Sequence, residues 1–247
     1  MIYPDWPAPV NVKAVTTTRP GGVSKPPYES FNLAEHVADE PAAVQRNRND
    51  LRQRLRLPAA PVWLNQVHGD TVADVAQCGE HPSADAGFST QTGLVCAVLT
   101  ADCLPVLLCD RDATRVAAAH AGWRGLAGGI LESSIRALDT DPARLMVWLG
   151  PAIGPVAFEV GDEVRQVFVD QHAQAAAAFS ATAGGRWLAD LYRLASIRLQ
   201  AAGVDAIYGG GFCTFSDRER FYSYRRDGMT GRMATLIWLD EPQHAVS

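Results

Sequence analysis

The stretch LVCAVLTADCLPVLLCD, residues 94–110, decides the fold of this chain. It contains two apolar runs, and each has the length of a buried strand. A short break at residues 100–103 separates the runs and predicts a sharp connection between two strands. RVAAAH (115–120) predicts another strand directly after them. Because no helix lies between these strands, they disfavour a purely parallel sheet, whose strands need long crossover connections.

Further strands and helices are expected on both sides of this stretch. We expect strands at residues 11–18, 62–75, 144–150, 205–211, 220–226 and 231–240, with 62–75 forming two strands around a turn at 68–70. We expect helices at residues 41–57, 126–138, 163–176 and 187–203, and a long loop with three prolines at 19–33. The sequence therefore predicts an α+β fold, in which mixed β-sheets are flanked by helices in a single domain over residues 1–247.

The composition indicates a globular chain without a nucleic-acid or membrane partner. The 247 residues are 47% hydrophobic and 20% charged, which is enough apolar material for a sizeable core. The net charge is −5 and no basic block occurs, whereas nucleic-acid-binding surfaces are usually basic. No apolar run approaches the roughly 18 residues of a membrane span, and the N-terminus shows no signal-peptide pattern. Five widely spread cysteines suit a reducing compartment, so we expect a cytoplasmic protein.

Three side chains at predicted strand ends could converge on one point. His68 in NQVHGD and His120 in AAAHAGWRG each end an apolar strand, and Cys103 in LTADCLPVLL also lies at a strand end. Imidazole and thiolate are the usual zinc ligands, and three protein ligands with one open position are typical of a catalytic zinc. The spacing fits no zinc finger. The same residues also match a Cys–His nucleophile pair or three unrelated buried side chains, and spacing alone does not separate these alternatives.

Several strings of the sequence together resemble one known family. They occur in the family's order between about Thr16 and Arg232, so the resemblance covers nearly the whole chain. The family is that of bacterial purine nucleoside phosphorylases with a laccase-domain name, also known as polyphenol oxidase or peptidoglycan editing factor. The matching strings are SFNLAEHVADE (30–40), NQVHGD (65–70), TADCLPVLL (100–108), HAGWRG (120–125), GPAIGPVAFEVGDEV (150–164) and FYSYRRDGMTGR (221–232).

The resemblance implies a metal centre and a reaction. It implies one zinc ion held by His68, Cys103 and His120, which would also be the catalytic centre. It further implies phosphorolysis of adenosine, inosine, guanosine and 5′-methylthioadenosine, with adenosine deamination as a side activity. Copper could occupy the same ligands adventitiously, because Cu²⁺ binds many nitrogen and sulfur sites more tightly than zinc does. Purine nucleosides and phosphate are the expected partners, and no oligomeric state is predicted.

Arg124 in HAGWRG is the first candidate for binding phosphate. Gly122 and Gly125 let backbone N–H groups approach an anion, and the helix expected at 126–138 would add its N-terminus. An arginine can also bind phosphate in bidentate fashion. The alternative is that Trp123 and Arg124 merely pack and pair at the surface. Weaker candidates for phosphate are Arg19, Arg225 and Arg226.

Other residues of the matching strings are candidates for the active site. Arg19 in TTRPGG, Asn32 in SFNL and Gln66 in NQVHGD are expected to contact the substrate. Asp102, next to the candidate cysteine ligand, could act as an acid or base, hold a ligand histidine or cap the turn. Asn32 and His36 could contact a nucleoside or the zinc environment, although a structural role is the main expectation for His36.

A Cys–His amide hydrolase that edits peptidoglycan precursors is the main alternative function. Cys103 would then be the nucleophile and His120 its base, without a metal. The metal content of the protein separates this alternative from the phosphorylase.

Two further functions fit the sequence less well. A multicopper oxidase needs many histidines, typically in His-X-His pairs, and this chain has six histidines and no such pair. A non-enzymatic binding module is disfavoured because polar residues stand beside glycines at the strand ends. His81, His172 and His244 are expected to be ordinary solvated histidines.

Overall fold

The computed structural model describes residues 1–241 of the chain, so His244 lies outside the described residues. The strands are β1 (Val12–Thr16), β2 (Val72–Asp74), β3 (Ala86–Ser89), β4 (Val95–Thr100), β5 (Leu104–Asp110), β6 (Val116–Ala121), β7 (Leu145–Leu149), β8 (Glu159–Val160), β9 (Phe179–Ala181), β10 (Trp187–Ala189), β11 (Ala206–Gly209) and β12 (Met233–Leu239). The α-helices are α1 (Pro41–Leu55), α2 (Trp123–Gly128), α3 (Ile130–Ala137), α4 (Asp162–Gln171), α5 (Leu191–Ala201) and α6 (Tyr224–Asp227). Two short 3₁₀ helices span Pro142–Arg144 and Ala173–Ala178.

The strands form one large and two small sheets. The large sheet has six strands in the order β11-β7-β5-β6-β3-β2, and it mixes antiparallel pairs with the parallel pairs β11–β7 and β2–β3. The antiparallel sheet β1-β12-β4, called the three-stranded sheet below, packs on the large sheet. A second, peripheral antiparallel sheet of three very short strands has the order β8-β10-β9. The predicted fold class, mixed sheets flanked by helices, is confirmed. The extent of the domain over residues 1–247 stays a prediction.

The three-stranded sheet β1-β12-β4 has both faces buried. Side chains of a strand alternate between its two faces, and β4 shows this directly. Val95, Ala97 and Leu99 belong to a core that includes residues of α1, whereas Cys96 and Val98 pack toward the six-stranded sheet. This explains why the first apolar run of residues 94–110 has no polar alternation.

The second face of the six-stranded sheet is covered by helices. Val106 and Leu108 of β5 pack in one core with Ile130 of α3 and with Leu194 and Leu199 of α5. The fold therefore has four layers, which are α1, the three-stranded sheet, the six-stranded sheet, and the helices α3 and α5. None of the helices in residues 1–241 has the length and apolar character that crossing a membrane requires.

Two strand predictions are wrong. Residues 220–226 contain the short helix α6, which begins after Ser223 because the Ser223 hydroxyl accepts a hydrogen bond from the backbone N–H of Arg226. The buried rings of Phe221 and Tyr222 produce the apolar pattern that suggested a strand there. Before residue 71, the segment 62–75 forms only isolated bridges, and β2 is its one strand.

The helix predicted at residues 126–138 begins earlier and is divided. α2 begins at Trp123, and Gly129 separates α2 from α3 with a φ of 103°. Glycine adopts this left-handed conformation without a steric penalty, so it ends a helix readily.

Two other predicted helices are shorter than expected. The helix predicted at 163–176 ends as α4 at Gln171, and a 3₁₀ helix follows it. The helix predicted at 187–203 begins later than expected, because residues 187–189 form the strand β10. α5 begins after Asp190, whose carboxylate accepts a hydrogen bond from the backbone N–H of Arg193 and caps the helix.

Candidate metal centre

Three chain segments bring His68, Cys103 and His120 together at one end of the two larger sheets. His68 lies in the loop before β2, and His120 is the penultimate residue of β6. Cys103 lies in the bend where the chain crosses from β4 in the three-stranded sheet to β5 in the six-stranded sheet. The candidate ligand atoms lie within 4.8 Å of one another. His68 is exposed, Cys103 is half-buried and His120 is buried.

Asp85 organises both histidines. Its side chain is buried directly before β3. One carboxylate oxygen accepts hydrogen bonds from Nδ1 of His120 at 2.8 Å and from the backbone N–H of His68 at 2.9 Å. The other oxygen accepts hydrogen bonds from the backbone N–H groups of Val67 at 3.1 Å and Gly69 at 2.7 Å. One carboxylate therefore fixes the loop that carries His68 and leaves Nε2 of His120 free to act as a ligand.

Asp85 is a site residue that was not identified from the sequence. The signal was an acidic residue in SADAGFS, directly before a short run of small and apolar residues. β3 pairs with β6, and Ala86 lies opposite Ala119. This register places Asp85 beside His120, so an assignment from sequence needed the pairing of the two strands.

Asp102 holds two chain segments rather than a ligand histidine. Its φ of 94° is left-handed, which turns the chain sharply before Cys103. One oxygen of its carboxylate accepts a hydrogen bond from the hydroxyl of Thr214 at 2.6 Å, and the other accepts one from the backbone N–H of Arg225 at 2.7 Å. The carboxylate that contacts His120 is that of Asp85.

Cys103 and His120 shift each other's pKa in opposite directions. Burial raises the pKa of the Cys103 thiol, but the charges and hydrogen bonds of His120 and His68 outweigh burial and lower this pKa to about 6. Burial lowers the pKa of His120, but Cys103 and Asp85 outweigh it and raise this pKa to about 9. Zinc binds thiolate and neutral imidazole, so binding would displace the proton from His120.

Gly122 lies against two of the candidate ligands, and its lack of a side chain leaves room for them. A Cβ atom at this position would lie 2.8 Å from Sγ of Cys103 and 3.3 Å from Cδ2 of His68. The backbone of Gly122 has a φ of −64°, which any residue can adopt. The requirement for glycine is therefore steric and concerns only the candidate ligands.

We expect Gly122→Ala to weaken zinc binding by about tenfold or more, because the added methyl group displaces Cys103 and His68. Loss of groups that only orient metal ligands already costs about 10–100-fold in affinity. Competition with a chelator measures the affinity. Gly128→Ala is the matched control, since nothing lies within 4 Å of a Cβ atom there. Equal zinc affinities of the two variants would contradict the steric role of Gly122.

The donor set fits zinc. Two imidazoles and one thiolate are typical zinc ligands, and a tetrahedral site places such atoms roughly 3.3–3.8 Å apart. A separation of no more than 4.8 Å needs only a small closing movement. The hydrogen bond from His120 to Asp85 is also the carboxylate–histidine arrangement that supports zinc ligands in many proteins. Within residues 1–241 this is the one cluster of three or more metal-ligating side chains.

A cavity of about 450 Å³ opens onto the cluster. Besides the three candidate ligands, its walls are formed by His36, Gln66, Leu99, Thr100, Ala101, Tyr224 and Arg232. The Thr100 hydroxyl is buried and has no hydrogen-bond partner within residues 1–241. A larger groove of about 700 Å³ runs along α1, but none of the three candidate ligands lines it.

The structure places only one of the predicted substrate contacts in this cavity. Gln66 lines it, although its amide is paired with the backbone of Leu99 through hydrogen bonds of 2.9 and 2.7 Å. Asn32 is fully buried, and its Oδ1 accepts a hydrogen bond from the backbone N–H of Arg232 at 2.9 Å. Arg19 pairs with Glu29.

Arg124 lies outside the cavity wall. Its side chain is exposed, and its guanidinium carbon lies 4.5 Å from the ring centroid of Trp123. Tyr224 and Arg232 line the cavity but were not assigned to the site from the sequence, and His36, expected to be structural, lines it as well. Tyr224 and Arg232 belong to the string FYSYRRDGMTGR, so the signal was present.

Within residues 1–241, the fold and the site define a four-layer α+β protein with one candidate mononuclear metal centre at the end of its sheets. Residues 13–240 match the family described as multi-copper polyphenol oxidoreductase laccase. The chain belongs to this family, whose curated relatives include proteins named purine nucleoside phosphorylase, as the resemblance predicted.

The relatives match over nearly their full length. A purine nucleoside phosphorylase of Pseudomonas aeruginosa is 58% identical over 241 residues, which cover 97% of this chain and 98% of the relative. Purine nucleoside phosphorylase YfiH of Escherichia coli is 52% identical over 242 residues, with the same coverage of 97% and 98%.

Solved structures show the same fold. A crystal structure of a Neisseria meningitidis protein has a TM-score of 0.94 at 52% identity and covers 97% of this chain and 98% of that chain. A crystal structure of a Bacillus licheniformis protein has a TM-score of 0.87 at 31% identity, with 93% of each chain covered.

Proposed function

We propose that this protein is a zinc-dependent purine nucleoside phosphorylase that acts on adenosine, inosine, guanosine and 5′-methylthioadenosine, with adenosine deamination as a side activity. The observation that carries the proposal is the His68–Cys103–His120 cluster, which faces a cavity of about 450 Å³. This volume is in the range of small-molecule sites. The end-to-end similarity to proteins named purine nucleoside phosphorylase supports the same reaction.

Residues of the chain orient the candidate ligands and exclude water from the cavity. Asp85 holds His120 in one tautomer and fixes the loop of His68. Leu99 and Ala101 form an apolar part of the wall, which shields the reacting atoms. A zinc ion held by the three ligands would polarise a substrate oxygen in phosphorolysis and lower the pKa of a water in deamination.

Tyr224 offers a surface for the purine. Its side chain is 62% exposed and lines the cavity. Stacking of a base on an aromatic ring is worth about 1–3 kcal/mol and tolerates different bases. We therefore place the base beside Tyr224, an arrangement that suits an enzyme with several purine substrates.

We expect the zinc-loaded protein to convert inosine and phosphate into hypoxanthine and ribose 1-phosphate. Phosphate is the nucleophile in this reaction, so its omission should suppress the release of hypoxanthine by more than about tenfold. Chromatography of the free base and the sugar phosphate measures both products, with boiled protein as the control. Release of hypoxanthine at an equal rate in phosphate-free buffer would show a hydrolase instead.

The Cys–His amide hydrolase is the second candidate, and one observation favours it. Cys103, His120 and Asp85 form a chain in which the thiol pKa is lowered and the carboxylate orients the imidazole. This is the arrangement of a nucleophile, its base and an orienting acid. Elemental analysis separates the candidates, because about one zinc per chain favours the phosphorylase and a metal-free active protein favours the hydrolase.

We also propose that the protein works in the cytoplasm. All five cysteines are free in the structure, which suits a reducing compartment. The proposed partners are purine nucleosides and inorganic phosphate. Copper remains a proposed adventitious occupant of the zinc ligands.

A further inference from the structure

The phosphate of the proposed reaction needs a cation, and most arginines near the cavity are already engaged. The Arg226 guanidinium donates hydrogen bonds to the backbone carbonyls of Thr214, Phe215 and Phe221 and pairs with Asp227. These partners occupy the donor groups on both of its terminal nitrogens.

Two other arginines lie outside the cavity wall, and only Arg19 of the two is also paired with a carboxylate. Arg225 donates to the backbone carbonyl of Glu159 at 2.9 Å. Arg19 donates to the backbone carbonyl of Glu29 and pairs with the Glu29 carboxylate. Neither arginine lines the cavity.

Arg232 is different from these arginines. It lies directly before β12, is half-buried, and lines the same cavity as Cys103 and His120. Its guanidinium is anchored by Nη1, which donates to the backbone carbonyls of Thr230 at 2.8 Å and Gly231 at 3.0 Å. Within residues 1–241, its Nε and Nη2 have no hydrogen-bond acceptor, and no carboxylate forms an ion pair with it.

A half-buried guanidinium that has no ion-pair partner favours a ligand that supplies negative charge. The position of Arg232 is also fixed from the backbone, because its N–H donates to Oδ1 of the fully buried Asn32. Burial lowers the pKa of Arg232, and the nearby Cys103 and Asp102 partly oppose this shift. The Arg232 guanidinium is thus a positively charged group that is fixed at the cavity wall and has free donors on Nε and Nη2.

We propose that Arg232 anchors the attacking phosphate through Nε and Nη2. The proposal rests on the proposed phosphorylase function. An arginine can bind two phosphate oxygens in bidentate fashion, which orients the anion as well as attracting it. A third phosphate oxygen forms the new bond to C1′ of the ribose. The C1′–N9 bond breaks, its electron pair leaves with the purine, and the proton of hydrogen phosphate ends on the free base.

The test measures binding of inorganic phosphate itself, by isothermal titration calorimetry on the zinc-loaded full chain. We compare wild type with Arg232→Gln, which removes the charge, and with Arg232→Lys, which keeps the charge but loses the planar fork. Arg136→Lys, on the exposed surface of α3, is the matched control. Circular dichroism and zinc content confirm that each variant is folded and loaded.

We expect Arg232→Gln to bind phosphate at least about tenfold more weakly than wild type. Arg232→Lys should fall between these two proteins, and Arg136→Lys should match wild type. Arg124→Lys tests the position that the sequence suggested. A larger loss in Arg124→Lys than in Arg232→Lys would place the phosphate at Arg124 and overturn the proposal, as would wild-type protein that binds no phosphate.

The same variants separate this proposal from the proposed function. Phosphate binding that depends on Arg232, without base release from any nucleoside, would leave the anion site in place and remove the phosphorylase function. Phosphate-dependent base release, with an unchanged Michaelis constant for phosphate in Arg232→Gln, would leave the function in place and remove Arg232 as its anchor.

Discussion

Cys103→Ala protein is expected to lose nearly all bound zinc. Cys103 is the one thiol among the candidate ligands, and His120 and His68 lower its pKa to about 6, which favours the thiolate that zinc binds. Loss of groups that only orient metal ligands costs about 10–100-fold in affinity, so loss of a ligand should exceed that range. Elemental analysis after dialysis at a fixed free zinc concentration measures the effect.

The control for this variant is Cys78→Ala, a half-buried cysteine outside the cluster, which should keep its zinc. The fold should survive in Cys103→Ala, since the four layers bury a large core that does not include this side chain. Full zinc retention by folded Cys103→Ala would remove Cys103 from the ligand set.

Asp85→Asn is expected to lower both zinc affinity and stability. The carboxylate accepts hydrogen bonds from Nδ1 of His120 and from three backbone N–H groups, and an amide cannot accept all of them. Breaking a buried charged network of this kind costs about 3–5 kcal/mol in the free energy of unfolding. Zinc affinity should fall by about 10–100-fold, because His120 loses its orientation. Urea unfolding and chelator competition measure the two effects.

Asp110→Asn separates a structural loss from a loss at the metal centre. Asp110 is also buried, at the far end of β5, where its carboxylate accepts hydrogen bonds from Thr114 and Arg115. The Asp110→Asn variant should have a lower free energy of unfolding than wild type but the same zinc affinity. The role of Asp85 would be disproved if the two variants had the same zinc affinity.

The strands and the ligand candidates were predictable because their signals are local. Residues 94–110 predict two strands and a break, and the structure has β4, the bend at Cys103 and β5 there. Nothing local distinguished a metal centre from a nucleophile pair. The specific strings around Cys103 and His120 carried the family assignment, which the family match and the relatives confirm.

The rest of the site depends on pairings that no local pattern shows. Asp85 reaches His120 only because β3 and β6 pair in one register. Arg232 reaches the cavity because β12 pairs with β4, which places Met233 opposite Thr100. The strand predicted at residues 220–226 failed for a related reason. The apolar residues there are buried by packing around a helix start, and their spacing imitates a strand.

The pairing of β1 with β12 joins the two ends of the chain, since Val12 lies opposite Leu239. The cavity wall at Thr100 and Arg232 therefore exists only when β12 is paired with β4, so the site depends on contacts between residues far apart in the sequence. Zinc should consequently bind the finished fold and act through mass action rather than as a template for the early chain. Each tenfold rise in free zinc above its dissociation constant then adds about 1.4 kcal/mol to the free energy of unfolding.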